Sequence, residues 1–151
     1  MFEKVLVAGW GDMDFNSHMR NTAFLDKSVD VRMMFFAERG FPVEELMRRR
    51  IGPVVMKDEV EYYKEVQLLQ PLRITLRLAG LAEDGSRFSV RNEFWREDGK
   101  LIARVTSTGG WLDLTTRKLI VPPEGLRAAL RSLSQTDDFQ ILASSVKPNG
   151  A

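Results

Sequence analysis

The stretch Trp10-Gly-Asp-Met-Asp14-Phe-Asn16-Ser-His18-Met-Arg20-Asn21 gathers acid, amide and imidazole groups directly ahead of a long apolar pattern. In Asp14-x-Asn16-x-His18 an extended backbone sends alternate side chains to one side, so three polar groups can converge on one substrate. His18 is the only histidine in the chain. From Thr22 the spacing becomes helical: Phe24, Ser28, Val31 and Phe35 recur at intervals of three and four, and Leu25, Val29, Met33 and Phe36 widen the face. A buried helix is predicted over 22–39, capped by Asn21 or Thr22 and stopped by Gly40 and Pro42.

Outward from this core the chain alternates in type. Residues 4–10 read as a short strand, and the polar segment through Asn21 as a loop. Pro42 opens a second, short helix in which Glu44 and Glu45 precede Arg48-Arg49-Arg50, a charge order that suits the helix dipole, and Gly52-Pro53 ends it. The runs 54–66, 72–81, 87–96 and 101–114 have strand periodicity, and Asp84-Gly85 and Asp98-Gly99 separate three of them at hairpin turns, which predicts an antiparallel meander. A strand-like piece at 118–121 and a helix at 124–133 follow. The organisation is one domain over 1–133 with a polar tail at 134–151, in which Phe139, Ile141 and Leu142 could dock. The fold class is α+β, with one helix lying against a curved sheet.

Composition narrows the function. With 151 residues the chain holds one core rather than two, and 44% hydrophobic with 28% charged residues is the profile of a globular protein. Lys and Arg total 22 against 21 Asp and Glu, so no bulk charge draws nucleic acid or an anionic membrane, and neither is expected as a partner. The absence of cysteine removes disulfides and a thiol nucleophile. No leader-like start or membrane-length apolar run is seen, and the expected location is cytoplasmic. Metal sites fail on spacing: Asp12-x-Asp14-x-Asn16 imitates a calcium loop, but Ser17 replaces the turn glycine and Ala23 the closing glutamate. A Gly-x-Ser-x-Gly elbow is also missing.

With these residues in view, the order of elements resembles the hotdog-fold acyl thioesterases, in which an antiparallel sheet wraps a long central helix. Asp14, second in an Asp-x-Asp, is similar to the catalytic aspartate of the 4-hydroxybenzoyl-CoA thioesterase-like branch. The whole Asp14-x-Asn16-x-His18 followed by Asn21 resembles the acyl-carrier-protein thioesterases, and Glu61-Tyr62-Tyr63-Lys64-Glu65 is similar to the stretch that carries their functional glutamate, which would be Glu65. Tyr63 stands where a basic residue is usual, and Arg20 where those enzymes have a first asparagine. The resemblance covers residues 4–121 and implies a homodimer or homotetramer with sites between subunits.

The resemblance thus implies an acyl-CoA thioesterase with Asp14, Asn16, His18 and Glu65 as the catalytic set. Asp14 is suited to act as general base on water or as nucleophile, against the alternative of a turn or capping aspartate. Asn16 can hold water or orient a carboxylate, and His18 can polarise water or donate to the thioester oxygen. Asn21, Arg20, Phe24 and Arg50 are the candidate substrate contacts. Arg48-Arg49-Arg50 could meet coenzyme A phosphates or form a solvated helix end, and Asn21 could cap the helix. Met33-Met34-Phe35-Phe36 could line an acyl tunnel or serve packing alone. Thr106, Ser107 and Thr108 before Gly109-Gly110 mark either a site near substrate or a strand bulge. Backbone N–H groups at the helix start offer an oxyanion site. Coenzyme A enters as part of the substrate, with no separate cofactor or metal. The alternatives are an acyl-carrier-protein thioesterase, a non-catalytic acyl-CoA-binding module, and a dehydratase or hydratase of the same fold.

Overall fold

A computed structural model describes residues 1–146. The elements run β1 (Phe2–Val7), a 3-10 turn (Trp10–Asp12), α1 (Asn21–Glu38), α2 (Val43–Arg49), β2 (Ile51–Tyr62), β3 (Pro71–Ala82), β4 (Arg87–Trp95), β5 (Leu101–Asp113), β6 (Lys118–Ile120), α3 (Glu124–Arg131) and β7 (Gln135–Leu142). One sheet has the path β1-β3-β4-β5-β2, with β6 pairing β5 and β7 pairing β3. This curved sheet around α1 is the hotdog arrangement.

The predicted turns form where glycine was needed: Gly85 at φ 78 and Gly99 at φ 82 occupy the left-handed region between β3, β4 and β5. The meander expectation holds for those three strands and fails for β2. β2 pairs with β5 at the far edge of the sheet, so the connection through residues 63–70 crosses from that margin past β5 and β4 to β3. Strand periodicity records which face a residue takes but not which strand lies beside it. A bulge between Val55 and Lys57 faces Gly109 and Thr108. Here a Cβ on Gly109 would stand 2.1 Å from the Val54 carbonyl oxygen, so only glycine admits this close approach of two backbones.

The helix α1 buries Phe24, Val31, Phe35 and Phe36 against the inner sheet face, where Ile74, Leu76, Val90, Phe94 and Trp111 wait. Phe24 meets Phe94 edge-on at 5.2 Å between centroids, and Phe36 meets Trp111 at 5.4 Å. The stripe is not the one expected in full. Phe24, Ser28, Val31 and Phe35 are buried as expected, but Val29 is exposed and Leu25 and Met33 half-buried, whereas Lys27 and Arg32 are buried. The stripe continues through 24, 28 and 32 and through 27, 31 and 35, and two of those positions carry charge. The face bearing Val29 and Met34 is open to solvent in the single chain.

The expected polar tail also departs from its description up to residue 142. Residues 135–142 form β7, parallel to β3, on the stretch of β3 edge left bare beyond the end of β1. Leu78 N–H donates to the Ser134 carbonyl at 2.8 Å, and Arg91 forks onto Asp138 at 2.9 and 3.0 Å. Phe139 packs against the core while Ile141 stays exposed. Unpaired edge amides supply the reason, since each gains a hydrogen bond that an apolar pattern does not record. Residues 147–151 of the expected tail lie outside the described residues. No described helix is long and apolar enough to cross a membrane.

Candidate active site

The site begins where β1 ends and the chain must turn toward α1. Asp12 fastens that turn: its Oδ2 accepts from Gly9 N–H at 2.7 Å and sits 2.8 Å from Lys27 Nζ on the second turn of α1. Burial opposes the Asp12 charge, and the Lys27 ammonium with the Gly9 amide outweighs it, so this carboxyl lies below its ordinary range. Asp12 is therefore an anchor, and Lys27 explains a charge inside the helical stripe.

Beyond the anchor the chain doubles back within six residues. Asp14 N–H donates to the His18 carbonyl at 2.8 Å, Met13 bridges Met19, and Ser17 takes the left-handed conformation with φ 63. Asp14 Oδ1 accepts the backbone N–H groups of Asn16 at 2.8 Å and His18 at 3.2 Å. Those two bonds fix the carboxylate in orientation. Its Oδ2 has no protein donor among the described residues, and Asp14 as a whole is exposed. Asn16 is likewise exposed, and Phe15 stands wholly in solvent at the tip.

His18 and Glu65 meet. The imidazole Nε2 lies 2.8 Å from Glu65 Oε2, and Met19 N–H donates to the Val66 carbonyl at 2.8 Å, which holds the loop against the segment after β2. Glu65 also borders an open cleft of about 710 Å3 shared with Lys64, Gln67, Leu68 and Arg96. Asp14 and His18 are thus linked through the loop backbone, and His18 to Glu65 through side chains.

The α1 N-terminus lies just after this loop. No side chain caps it, and the cap position belongs to Arg20, not to Asn21 or Thr22. The Thr22 hydroxyl instead accepts from Arg20 Nε at 2.9 Å, while the same guanidinium reaches the Gly11 carbonyl and Asp26. Arg20 is consumed in bracing the turn. Asn21 offers its carbonyl to the Tyr62 hydroxyl at 3.1 Å, and burial raises the Tyr62 pKa. The first-turn N–H groups of α1 carry the positive end of the helix dipole, and no side chain caps them.

Of the two remaining candidate substrate contacts, Phe24 lies at this helix start and Arg50 lies elsewhere. Phe24 is buried, stacked edge-on with Tyr62 at 5.3 Å, and forms the floor under the helix start. Arg50 closes α2 in the left-handed region at φ 55, bonded to Thr115 Oγ1 at 2.8 Å. It precedes β2, whereas Tyr62 ends it, so about 36 Å of strand separates Arg50 from the Asn21 end of α1. Arg48 and Arg49 both bond Glu45. The arginine run is a paired helix end.

Sequence reading missed a second polar group. Arg32 is only 7% exposed, its Nε donating to Asn92 Oδ1 at 3.1 Å and one Nη to Ser107 Oγ at 2.6 Å. The Ser107 hydroxyl in turn donates to Asp58 Oδ1. Burial pushes the Arg32 pKa down to about 10, with the Asp58 charge opposing the shift. Its position eight residues after Phe24, on the apolar stripe, was the available signal. Ser107 is fully buried within this group, and the bulge lies across from Gly109 on β2.

The sequence matches the model of the thioesterase-like superfamily over residues 8–130. Among solved structures, a hypothetical protein of Staphylococcus aureus in complex with CoA aligns at 19% identity over 86% of this chain and 81% of its own, TM-score 0.79. A 1,4-dihydroxy-2-naphthoyl-CoA thioesterase from Synechocystis aligns at 15% identity over 87% and 96%, TM-score 0.78. A probable thioesterase from Escherichia coli aligns at 21% over 88% and 98%, TM-score 0.73. No curated protein matches the sequence. At these identities the structures speak for the fold, and the family match covers most of the chain. The chain belongs to the thioesterase-like superfamily and is by that membership a thioester hydrolase.

Proposed function

We propose that this hydrolase acts on acyl-CoA thioesters, with Asp14 as the group that activates water or attacks the carbonyl. The observation that carries the reading is the Asp14 carboxylate, fixed by two backbone donors through Oδ1 and open at Oδ2, set beside an uncapped helix N-terminus. In the water route, Asp14 takes a proton as hydroxide adds to the carbonyl carbon. Charge gathers on the carbonyl oxygen, where α1 N–H groups receive it, and the C–S bond then breaks to release free acid and coenzyme A thiolate. Thiolate leaves readily, so a three-residue relay is not required. Asn16 and His18 position water or carbonyl, and Glu65 orients the imidazole. The similar Staphylococcus aureus protein was solved in complex with CoA, and two further neighbours are called CoA thioesterases, which supports CoA as the carrier.

The working form in this reading is a homodimer joined along β2. That strand is a 12-residue edge with Val55 and Met56 exposed, next to the exposed Val29 and Met34 of α1, and bare edges and apolar faces of this kind call for cover. An antiparallel pairing about a twofold would bring the loop of one copy, exposed in the single chain, against the other.

The test is release of free thiol from a panel of acyl-CoAs by the parent, Asp14→Asn and His18→Ala. Asp14→Asn is expected to lose about 1,000-fold and His18→Ala about 100-fold in kcat. Unchanged binding with no thiol released by any variant would sink hydrolysis in favour of a binding module, and an enoyl product without thiol would indicate dehydration.

A further inference from the structure

A cavity of about 100 Å3 lies between α1 and the sheet, walled by Val29, Met33, Phe36, Pro53, Val90 and other apolar side chains, with one charged residue among them, Arg32. A guanidinium in such a place is expensive to bury and needs acceptors. The structure supplies two, Asn92 Oδ1 and Ser107 Oγ, both on the Nε side of the group. The other terminal nitrogen has no acceptor among the described residues. Asp58 balances the charge only at one remove, through the Ser107 hydroxyl. Donors thus exceed acceptors at the wall of a space that is otherwise apolar.

We propose that this cavity receives the acyl group and that Arg32 selects acyl groups carrying a hydrogen-bond-accepting oxygen remote from the thioester. The proposal rests on the acyl-thioester reading and names the substrate class of that site. An aliphatic end would leave the spare N–H groups dry and unpaired, whereas a carboxylate or ketone oxygen takes them up. Size limits the acyl group to a short one, since the space is smaller than the cavity of about 150 Å3 that accepts one benzene ring. Reach agrees as well. Pro53 and Val55 border the cavity at the end of β2 away from Tyr62, so antiparallel pairing of two β2 edges sets the cavity of one copy beside the Asp14 loop of the other.

The experiment compares three five-carbon thioesters, pentanoyl-CoA, levulinyl-CoA and glutaryl-CoA, for hydrolysis and for binding by calorimetry, with parent, Arg32→Met and Arg32→Lys. The parent should favour levulinyl- or glutaryl-CoA over pentanoyl-CoA by about 10- to 100-fold, the worth of a hydrogen bond to a charged donor. A ketone preference alone identifies a neutral acceptor, and a glutaryl preference a carboxylate. Arg32→Met should bring the substrates within about threefold of one another, with the greater part of the loss falling on levulinyl- or glutaryl-CoA. If Arg32→Met does not fold, Arg32→Lys decides, with KM raised about tenfold more on the oxygen-bearing substrate than on pentanoyl-CoA. Equal treatment of all three by the parent, or an equal loss on all three in the variant, overturns the proposal. Should the parent release no thiol at all, the hydrolysis reading fails, and the binding comparison still decides the role of Arg32.

Discussion

The start and the middle of α1 hold polar groups in opposite ways. At the N-terminus Asp14, Asn16 and Glu65 are exposed, and their contacts are local or run to the next segment, as in the His18–Glu65 pair at 2.8 Å. Midway along the helix Arg32 is buried and tied across the sheet to Asn92 on β4 and Ser107 on β5, at sequence separations of 60 and 75. The exposed group is cheap to keep and free to meet a ligand. The buried group is bound into the packing of three elements, so any change there is felt by the fold as well as by what fills the cavity.

That contrast can be broken by showing that either group behaves like the other. The largest effect is expected at the exposed end: Asp14→Asn should cost about 1,000-fold in kcat, measured by thiol release, with the unfolding free energy shifted by less than about 1 kcal/mol. Arg32→Ala should do the reverse in kind, removing about 3–5 kcal/mol and roughly 10 °C of Tm in a thermal scan, because Asn92 and Ser107 lose their common donor and Asp58 the charge that balances it. Asp12→Asn should cost about 2 kcal/mol in urea unfolding at pH 7 by unpairing Lys27. The folded Asp12 pKa lies below the unfolded value of about 3.9, so its stabilisation is present above that value and fades as pH falls through the folded one, and the variant should match the parent in acid. Glu65→Gln should lower kcat about tenfold with KM unchanged, the loss of one orienting hydrogen bond. Arg48→Ala, at a solvated helix end, should leave both the unfolding midpoint and kcat/KM where they are in the parent.

The same contrast governs how much of the molecule its sequence discloses. The helix at 22–39 and the hairpins at Gly85 and Gly99 were legible because periodicity and turn chemistry are local. His18 and Glu65, 47 residues apart, were paired only by resemblance to known enzymes, and the structure places them together. The place of β2 at the far margin, and of β7 on the bare part of β3, was not legible, since pairing is decided by which edges remain open once the other strands have met. The partners of Arg20 at Gly11 and Thr22 were not legible either, because they depend on the turn geometry. Arg32 broke the apolar stripe at a position that could have been questioned, but its acceptors lie on strands whose neighbourhood no spacing rule gives.

The most direct measurement is a crystal structure of Asp14→Asn with an unhydrolysed acyl-CoA bound. The thioester carbonyl carbon should lie within about 3.5 Å of the residue 14 side chain or of a water held by it, with the carbonyl oxygen facing the first N–H groups of α1. A thioester lodged elsewhere, with residue 14 turned to solvent and far from the sulfur, would contradict the role given to Asp14.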